Sequence, residues 1–392
     1  MISVSEAKAL ISKSVKPLEP VSVSLENAAG HNLARDIYAT CDIPAFRQSS
    51  MDGYALKFED RNMPLELIGE MAAGTGHSLI LRNGETSRIF TGAPLPEGAD
   101  TVVMQEKIMV ENGKITIHDN ELKSGSNVRD QGAEIKSGEL AMSAGTLLSP
   151  AAIGFLAGIG FSDLEVFPMP NISIIVTGTE LRKPGLKLGF GQVYESNSFS
   201  ISAALKQEGI DQIAIFNADD DLDIVTNVLK GALKIADVVL LAGGVSVGDY
   251  DFVIEASKRC GIDQIFHKVK QKPGKPLFFG IKEQKLIFGL PGNPSSVLSC
   301  YYNYVLPALK MLSQKKNSVK EIKAELTHDY CKPPGITHFL KGVYENGKAT
   351  PLGAQESFRL SSFAQANCLI NLDEQQEEYL AGDSVTVMLL PN

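Results

Sequence analysis

Val238-Val-Leu-Leu-Ala-Gly-Gly-Val-Ser-Val-Gly-Asp-Tyr-Asp251 reads as a buried strand opening into a glycine loop that leads to a helix at 252–259. The five residues 238–242 are apolar without alternation, the pattern of a strand covered on both faces. Working outward, residues 172–176 form a second such strand and 212–216 a third. Helical periodicity fills 198–208, capped by Ser196 or Asn197, and 222–235. Strands alternating with helices predict a doubly wound α/β sheet. Ligands of such sheets bind beyond the carboxyl ends of the strands. Thr177-Gly-Thr-Glu180, Asp219-Asp-Asp221 and the Gly243 loop all fall at those ends. Gly243 and Gly244 let the backbone approach a ligand closely, and Ser246 can donate to an oxyanion. No Gly-Lys-Ser/Thr follows, so this is not a Walker A loop, nor is it the dinucleotide fingerprint. Asp249 and Asp251 read either as helix caps or as Mg²⁺ ligands.

Two further stretches handle anions. Lys270-Gln-Lys-Pro-Gly-Lys-Pro276 sets lysines in a turn too constrained for a helix. Leu290-Pro-Gly-Asn-Pro-Ser-Ser296 runs into a helix, predicted over 295–312, with hydroxyls in its first turn. Positive charge in one and free N–H groups in the other suit phosphate. With a formal net charge of −9, the chain lacks the basic face of a nucleic-acid binder. Its basic concentration at Lys268, Lys270, Lys272 and Lys275 fits a small anion. A 44% hydrophobic and 21% charged composition is that of a soluble globular protein. No apolar run is long enough to span a membrane, and the N-terminus lacks the pattern of a signal peptide. Cys41, Cys260, Cys300, Cys331 and Cys368 lie far apart, as in a reduced cytoplasmic protein without disulfides or structural zinc.

The length of 392 residues predicts about two to four domains. Residues 3–14 read as a helix capped by Ser3 or Ser5. Residues 1–41 and 134–168 read as a discontinuous connector domain whose two halves pack together, with a short strand at 33–38 and a helix after Pro150. Residues 42–133, rich in Gly, Pro and short β-like runs, predict a mixed β domain. Residues 169–315 hold the α/β domain, and 316–392 read as a small all-β domain. Within 42–133, Asp52 of Gln48-Ser-Ser-Met-Asp-Gly-Tyr-Ala55 and Thr91 of Thr91-Gly-Ala-Pro94 sit in turns.

Together these stretches resemble the molybdopterin molybdenumtransferase family, the MoeA proteins, to which the E domain of gephyrin and its plant counterpart are related. The matching segments, in order, are Asp42-Ile-Pro-Ala-Phe46, Ser50-Met-Asp-Gly-Tyr-Ala55, Thr91-Gly-Ala-Pro94, Thr177-Gly-Thr-Glu-Leu181 and Gly191-Gln-Val-Tyr194. They continue with Gly243-Gly-Val-Ser-Val-Gly248, Lys272-Pro-Gly-Lys-Pro276 and Leu290-Pro-Gly-Asn-Pro294, then Lys341-Gly342 and Ser357. The resemblance covers essentially the whole chain. It implies an elongated protomer of four domains, ending in a small β-barrel-like domain, in a homodimer whose active sites are shared between subunits. It implies insertion of molybdenum from molybdate into adenylylated molybdopterin, with Mg²⁺ and release of AMP, in the cytoplasm among other molybdenum-cofactor biosynthesis proteins. Family positions fall on Asp52, Thr91, Glu180, Asp220 and Asp251 for catalysis; by their chemistry Glu180, Asp220 and Asp251 can hold Mg²⁺, orient the attacking oxyanion or protonate oxo groups as they leave. Gly243, Gly244, Ser246, Lys268, Lys272, Lys275, Pro291, Asn293, Ser295, Lys341 and Ser357 would bind substrate.

Two departures stand out. Lys341 occupies a position where the family usually has Arg, which keeps the charge and loses the bidentate fork. Glu134 stands where the family's connector motif has Asp. Two other functions compete: an ATP-dependent molybdopterin adenylyltransferase, which shares the Gly-Gly-x-Ser loop, and a non-catalytic gephyrin-like scaffold.

Overall fold

The computed structural model describes residues 1–244, 252–316 and 318–391. The chain forms two compact units. One comprises Met1–Val21, Gly30–Asn32 and Val166–Asn392, the other Ser22–Ala29 and Leu33–Glu165.

The doubly wound sheet is present in the first unit. Its strands run in the order Ile213–Ala218, Ile172–Thr177, Val238–Ala242, Lys285–Leu290, Phe278–Lys282, Asp263–His267. The first four are parallel; the last two add an antiparallel edge. Every residue of Ile172–Thr177 and Val238–Ala242 is buried, because helices cover both faces. Ile174, Val176 and Leu240 pack with Ile201 and Leu205 of helix Asn197–Gln207 and with Val297 of helix Pro294–Cys300. Ile175, Val239 and Leu241 pack with Val225 and Leu229 of helix Leu222–Ile235 and Val253 of helix Phe252–Arg259. Alternate residues of each strand thus feed two different cores. Asp221 caps Leu222–Ile235, accepting from the N–H groups of Asp223 at 2.9 Å and Ile224 at 3.0 Å.

The helix expected over 295–312 is interrupted. Pro294–Cys300 passes into a π-helical turn at Tyr301–Val305 before Leu306–Leu312 resumes. Pro307, at the start of the last segment, has no N–H to give to a regular ladder.

The C-terminal region closes into a five-stranded barrel. Thr337–Glu345, Lys348–Pro351, Lys320–Leu326, Ser384–Leu389 and Cys368–Leu372 pair in sequence, and the last returns to pair with the first. Closure leaves the five without an open edge to aggregate through. Gln271–Lys272 pairs parallel to Thr337–Glu345, with Gln271 opposite Thr337. The basic turn is therefore stitched to the barrel and supported from two sides.

In the second unit a six-stranded sheet runs Thr101–Met104, Gly53–Leu56, Glu85–Ile89, Leu65–Met71, Lys114–Ile117, Ile108–Glu111. Gly53 is required there: a Cβ would lie 1.9 Å from the Val103 carbonyl oxygen. The strand expected over 33–38 is split into Asn32–Leu33 and Ile37–Tyr38. Ile37–Tyr38 pairs with Leu140–Met142, and Ile43 bridges Ile135.

Candidate functional site

A cavity of about 950 Å³ opens at the carboxyl end of the doubly wound sheet, inside the first unit. Three loops build it. The first is the basic turn, which presents Lys272 and Lys275. The second is the turn Pro291, Gly292, Asn293 that starts helix Pro294–Cys300. The third, 354–359, brings Ser357 and Phe358 from the barrel. Glu180 and Tyr194 line the same cavity. Lys272 and Lys275 are exposed, and neither has an ion-pair partner among the described residues. Both ammonium groups are thus on the same cavity wall as the turn that starts helix Pro294–Cys300.

The basic turn rests on a buried network. Gln271 is 2% exposed. The Tyr304 hydroxyl donates to Gln271 Oε1, and Gln271 Nε2 donates to the Gly274 carbonyl at 2.8 Å and faces Cys300 Sγ at 3.5 Å. Gly274 itself has φ +86°, and a Cβ on it would lie 2.5 Å from Cys300 Sγ. Gly274→Ala is therefore expected to destabilise the protein by about 1–3 kcal/mol and to displace both lysines. Urea unfolding measures the first effect and pyrophosphate affinity the second. Unchanged values for both would show the turn to be free to adjust.

The third loop is docked onto the helix start. Asn293 Nδ2 donates to Ser357 Oγ at 2.8 Å, and the Ser295 N–H donates to the Ser357 carbonyl at 3.1 Å. Nearby at the strand ends, Thr177 Oγ1, Asn197 Oδ1 and Ser295 Oγ are buried without a hydrogen-bond partner among the described residues. Of these three residues only Asn197 lines the cavity; Thr177 and Ser295 lie outside its wall, as do Gly243 and Gly244.

Gly243 and Gly244 have φ +95° and +68°, and a Cβ on either would lie 2.9 Å from Thr177 Oγ1. Asp220 Oδ2 accepts the Thr179 N–H at 3.3 Å, which sets it beside the Glu180 turn. Asp220 and Lys268 do not line the cavity, and Lys268 sits at φ +69° with its carbonyl bonded to the Ile2 N–H. Ser246, Asp249 and Asp251 lie outside the described residues. Lys341 is 2% exposed and its ammonium faces backbone carbonyls, not the cavity.

Asp52 and Thr91 belong to the second unit, where sheet register brings them together. Gly53 pairs with Ile89, so the residue before one strand and the turn after the other share one end. The Thr91 N–H and hydroxyl both donate to Asp52 Oδ1 at 2.8 Å. The backbone N–H, then the hydroxyl, hold the carboxyl below its ordinary pKa, and Arg88 adds to this. Asp52 is thus a carboxylate at neutral pH.

Gln271, Tyr304, Asn197, Tyr194 and Phe358 were not read as site residues from sequence. Gln271, a neutral residue set inside the basic turn, and Tyr194, the end of the Gly191-Gln-Val-Tyr194 stretch, carry a sequence signal; the others enter through tertiary packing. Among the described residues no group of three or more His, Cys, Asp or Glu side chains is placed to hold a metal ion. No helix there is long and apolar enough to cross a membrane.

Comparison with known proteins covers nearly the whole chain. Residues 2–160 match the MoeA N-terminal region (domain I and II), 173–311 a probable molybdopterin binding domain, and 323–390 the MoeA C-terminal region (domain IV). The chain is 34% identical to a molybdopterin molybdenumtransferase of Staphylococcus epidermidis, over 99% of this chain and 95% of the relative. It is 32% identical to one of Staphylococcus aureus at the same coverage. Among solved structures, the molybdopterin biosynthesis MoeA protein of Pyrococcus horikoshii superposes with a TM-score of 0.85 at 29% identity, over 99% of each chain.

Proposed function

The chain belongs to the MoeA family of molybdopterin molybdenumtransferases, and from that premise we propose that it transfers molybdenum from molybdate to adenylylated molybdopterin with release of AMP. The observation that carries this reading is the cavity itself. Two unpaired lysines and a helix start converge on a space suited to phosphate groups, with the Glu180 carboxylate on its wall. Lys272 and Lys275 neutralise the phosphates and orient them. Cleaving a phosphoanhydride is mainly positioning and charge stabilisation, which such a wall supplies.

We propose Mg²⁺ as the ion that accompanies the phosphates. The ion keeps several waters and uses one or two carboxylates together with substrate phosphates. Asp220 and Glu180 are carried on adjoining turns, linked by the Thr179 N–H on Asp220. They are the side chains that would hold it, with Asp251, and the ion would neutralise charge on the phosphates when bound. Asp220→Asn and Glu180→Gln should retain molybdopterin binding and lose most AMP release, with partial rescue by excess Mg²⁺. Normal turnover in both variants would remove these carboxylates from the site.

We further propose that the protein acts in the cytoplasm as a homodimer, with the Asp52–Thr91 pair of one subunit completing the cavity of the other. Asp52 Oδ1 takes both Thr91 donors, so Oδ2 is available as a proton acceptor. The adenylyltransferase alternative accounts for the α/β region alone. It leaves unexplained the regions matched over 2–160 and 323–390. The deciding experiment is AMP release from adenylylated molybdopterin on addition of molybdate. AMP-pterin formation from ATP and free molybdopterin would instead support the adenylyltransferase, and neither reaction the scaffold.

A further inference from the structure

We infer that Lys341 is a positioning residue, whose buried ammonium clamps loop 354–359 so that Ser357 meets the helix start, and that it does not touch substrate. This rests on the reading of the cavity as the substrate site. Lys341 lies in strand Thr337–Glu345 of the barrel. Its Nζ donates to the carbonyls of Ala354 at 2.8 Å, Arg359 at 3.1 Å and Glu356 at 3.3 Å. An ammonium has three N–H donors, and here each has an acceptor. None is left for a phosphate or an oxyanion.

The main chain of the same residue grips the same loop. The Lys341 N–H donates to Gln355 Oε1 at 3.0 Å, and Gln355 Nε2 donates back to the Lys341 carbonyl at 2.8 Å and to Leu352 at 2.7 Å. The Ala354 carbonyl receives a second donor, Ser362 Oγ at 2.8 Å. Ala354 itself is left-handed, at φ +57°, a conformation that persists where surrounding bonds over-determine it. On its other side the loop meets Asn293 and Ser295 through Ser357. Loop 354–359 is therefore suspended between the barrel and the helix start, and Lys341 is its anchor on the barrel side.

Lysine suits this position for a geometric reason. The three carbonyls converge on one nitrogen, which a compact ammonium with rotatable donors satisfies. A planar guanidinium spreads its donors in a fixed fork. Lys341→Arg is thus expected to disturb the loop although the charge is kept.

The chain contains no tryptophan, so Phe358→Trp places its one tryptophan on the loop, excited selectively beyond the absorption of the ten tyrosines. Phe358 is 62% exposed, which makes quenching by acrylamide sensitive to loop order. Within this background Lys341→Met and Lys341→Arg are compared with the parent. Three readouts are taken: acrylamide quenching and anisotropy of Trp fluorescence, affinity for inorganic pyrophosphate, and AMP release. We expect both variants to free the fluorophore. Lys341→Met should lower kcat for AMP release by roughly 100-fold, the scale of a misplacement of about 1 Å. Pyrophosphate affinity should change by less than about threefold, because Lys272 and Lys275 remain.

A tenfold or larger loss of pyrophosphate affinity with an unchanged fluorophore would show Lys341 to be a direct anion ligand and overturn the inference. So would full rescue by arginine. Should Lys341→Met lose its cooperative melt, Gln355→Leu removes the main-chain clamp with Lys341 in place. It must then free the fluorophore, and a rigid loop there overturns the proposal. If the protein with Phe358 intact releases no AMP, the functional reading fails, while fluorescence and pyrophosphate affinity still decide the role of Lys341.

Discussion

Replacing Lys272 and Lys275 together by alanine is expected to lower affinity for inorganic pyrophosphate, and for molybdopterin adenylate, by roughly 100-fold or more. Each removes a charge-assisted contact worth about 1.5–3 kcal/mol, and the two contacts act on neighbouring phosphates. The loss should come with little change in stability, because exposed substitutions usually stay within about 0.5 kcal/mol. The turn beneath them keeps its shape through Gln271, Tyr304 and Cys300, none of which is altered. Affinity should also fall with added salt in the parent and fall less in the double variant, since two of the charges that salt screens are gone. Isothermal titration calorimetry measures both effects. Unchanged affinity in the double variant would place the phosphates elsewhere.

The contrast between this turn and Lys341 shows what sequence could and could not reveal. Lysines among glycine and proline in an acidic chain announce an anion site by composition, and the cavity does present Lys272 and Lys275. Lys268, from the same cluster, does not line the cavity; its left-handed backbone is held by the Ile2 N–H on its carbonyl and by the Leu277 carbonyl on its N–H. Lys341 carries the same charge, yet three carbonyls of a loop 13 to 18 residues further along the chain surround it. Nothing in its local sequence distinguishes a solvated ammonium from an enclosed one.

The fold divides in a similar way. Helices Leu222–Ile235 and Phe252–Arg259 and strand Val238–Ala242 were legible to the residue, because their periodicity reflects burial on definite faces. The antiparallel edge, Phe278–Lys282 and Asp263–His267, was not read. Its neighbours are the glycine- and proline-rich turns that dominate the local signal. Barrel closure depends on pairing Thr337–Glu345 with Cys368–Leu372, a contact between distant segments that alternation alone does not specify. The π-helical turn at Tyr301–Val305 was likewise hidden, since an inserted residue leaves an apolar helix looking continuous.

Mixing an inactive Asp52→Ala protein with an inactive Lys272→Ala/Lys275→Ala protein is expected to restore AMP release after subunit exchange. The two defects fall in different compact units of the chain, one in Leu33–Glu165 and the other in Val166–Asn392. If each active site of a dimer takes Asp52 from one subunit and the lysines from the other, each parent dimer carries a defect in both of its sites. A heterodimer gathers all the substitutions into one site and leaves the second intact. A two-fold axis allows such sharing, because a patch of one subunit that meets the partner meets it twice. Random exchange of equal amounts makes half of the dimers mixed, and each mixed dimer has one working site of two. Activity should therefore reach roughly a quarter of the unsubstituted protein's. The dependence on mixing ratio provides a second check, because activity should peak at equal proportions and vanish towards either pure variant. Mass spectrometry establishes that exchange has occurred. Exchange without recovery would place Asp52 and the lysines in the site of a single chain, and the shared site would have to be abandoned.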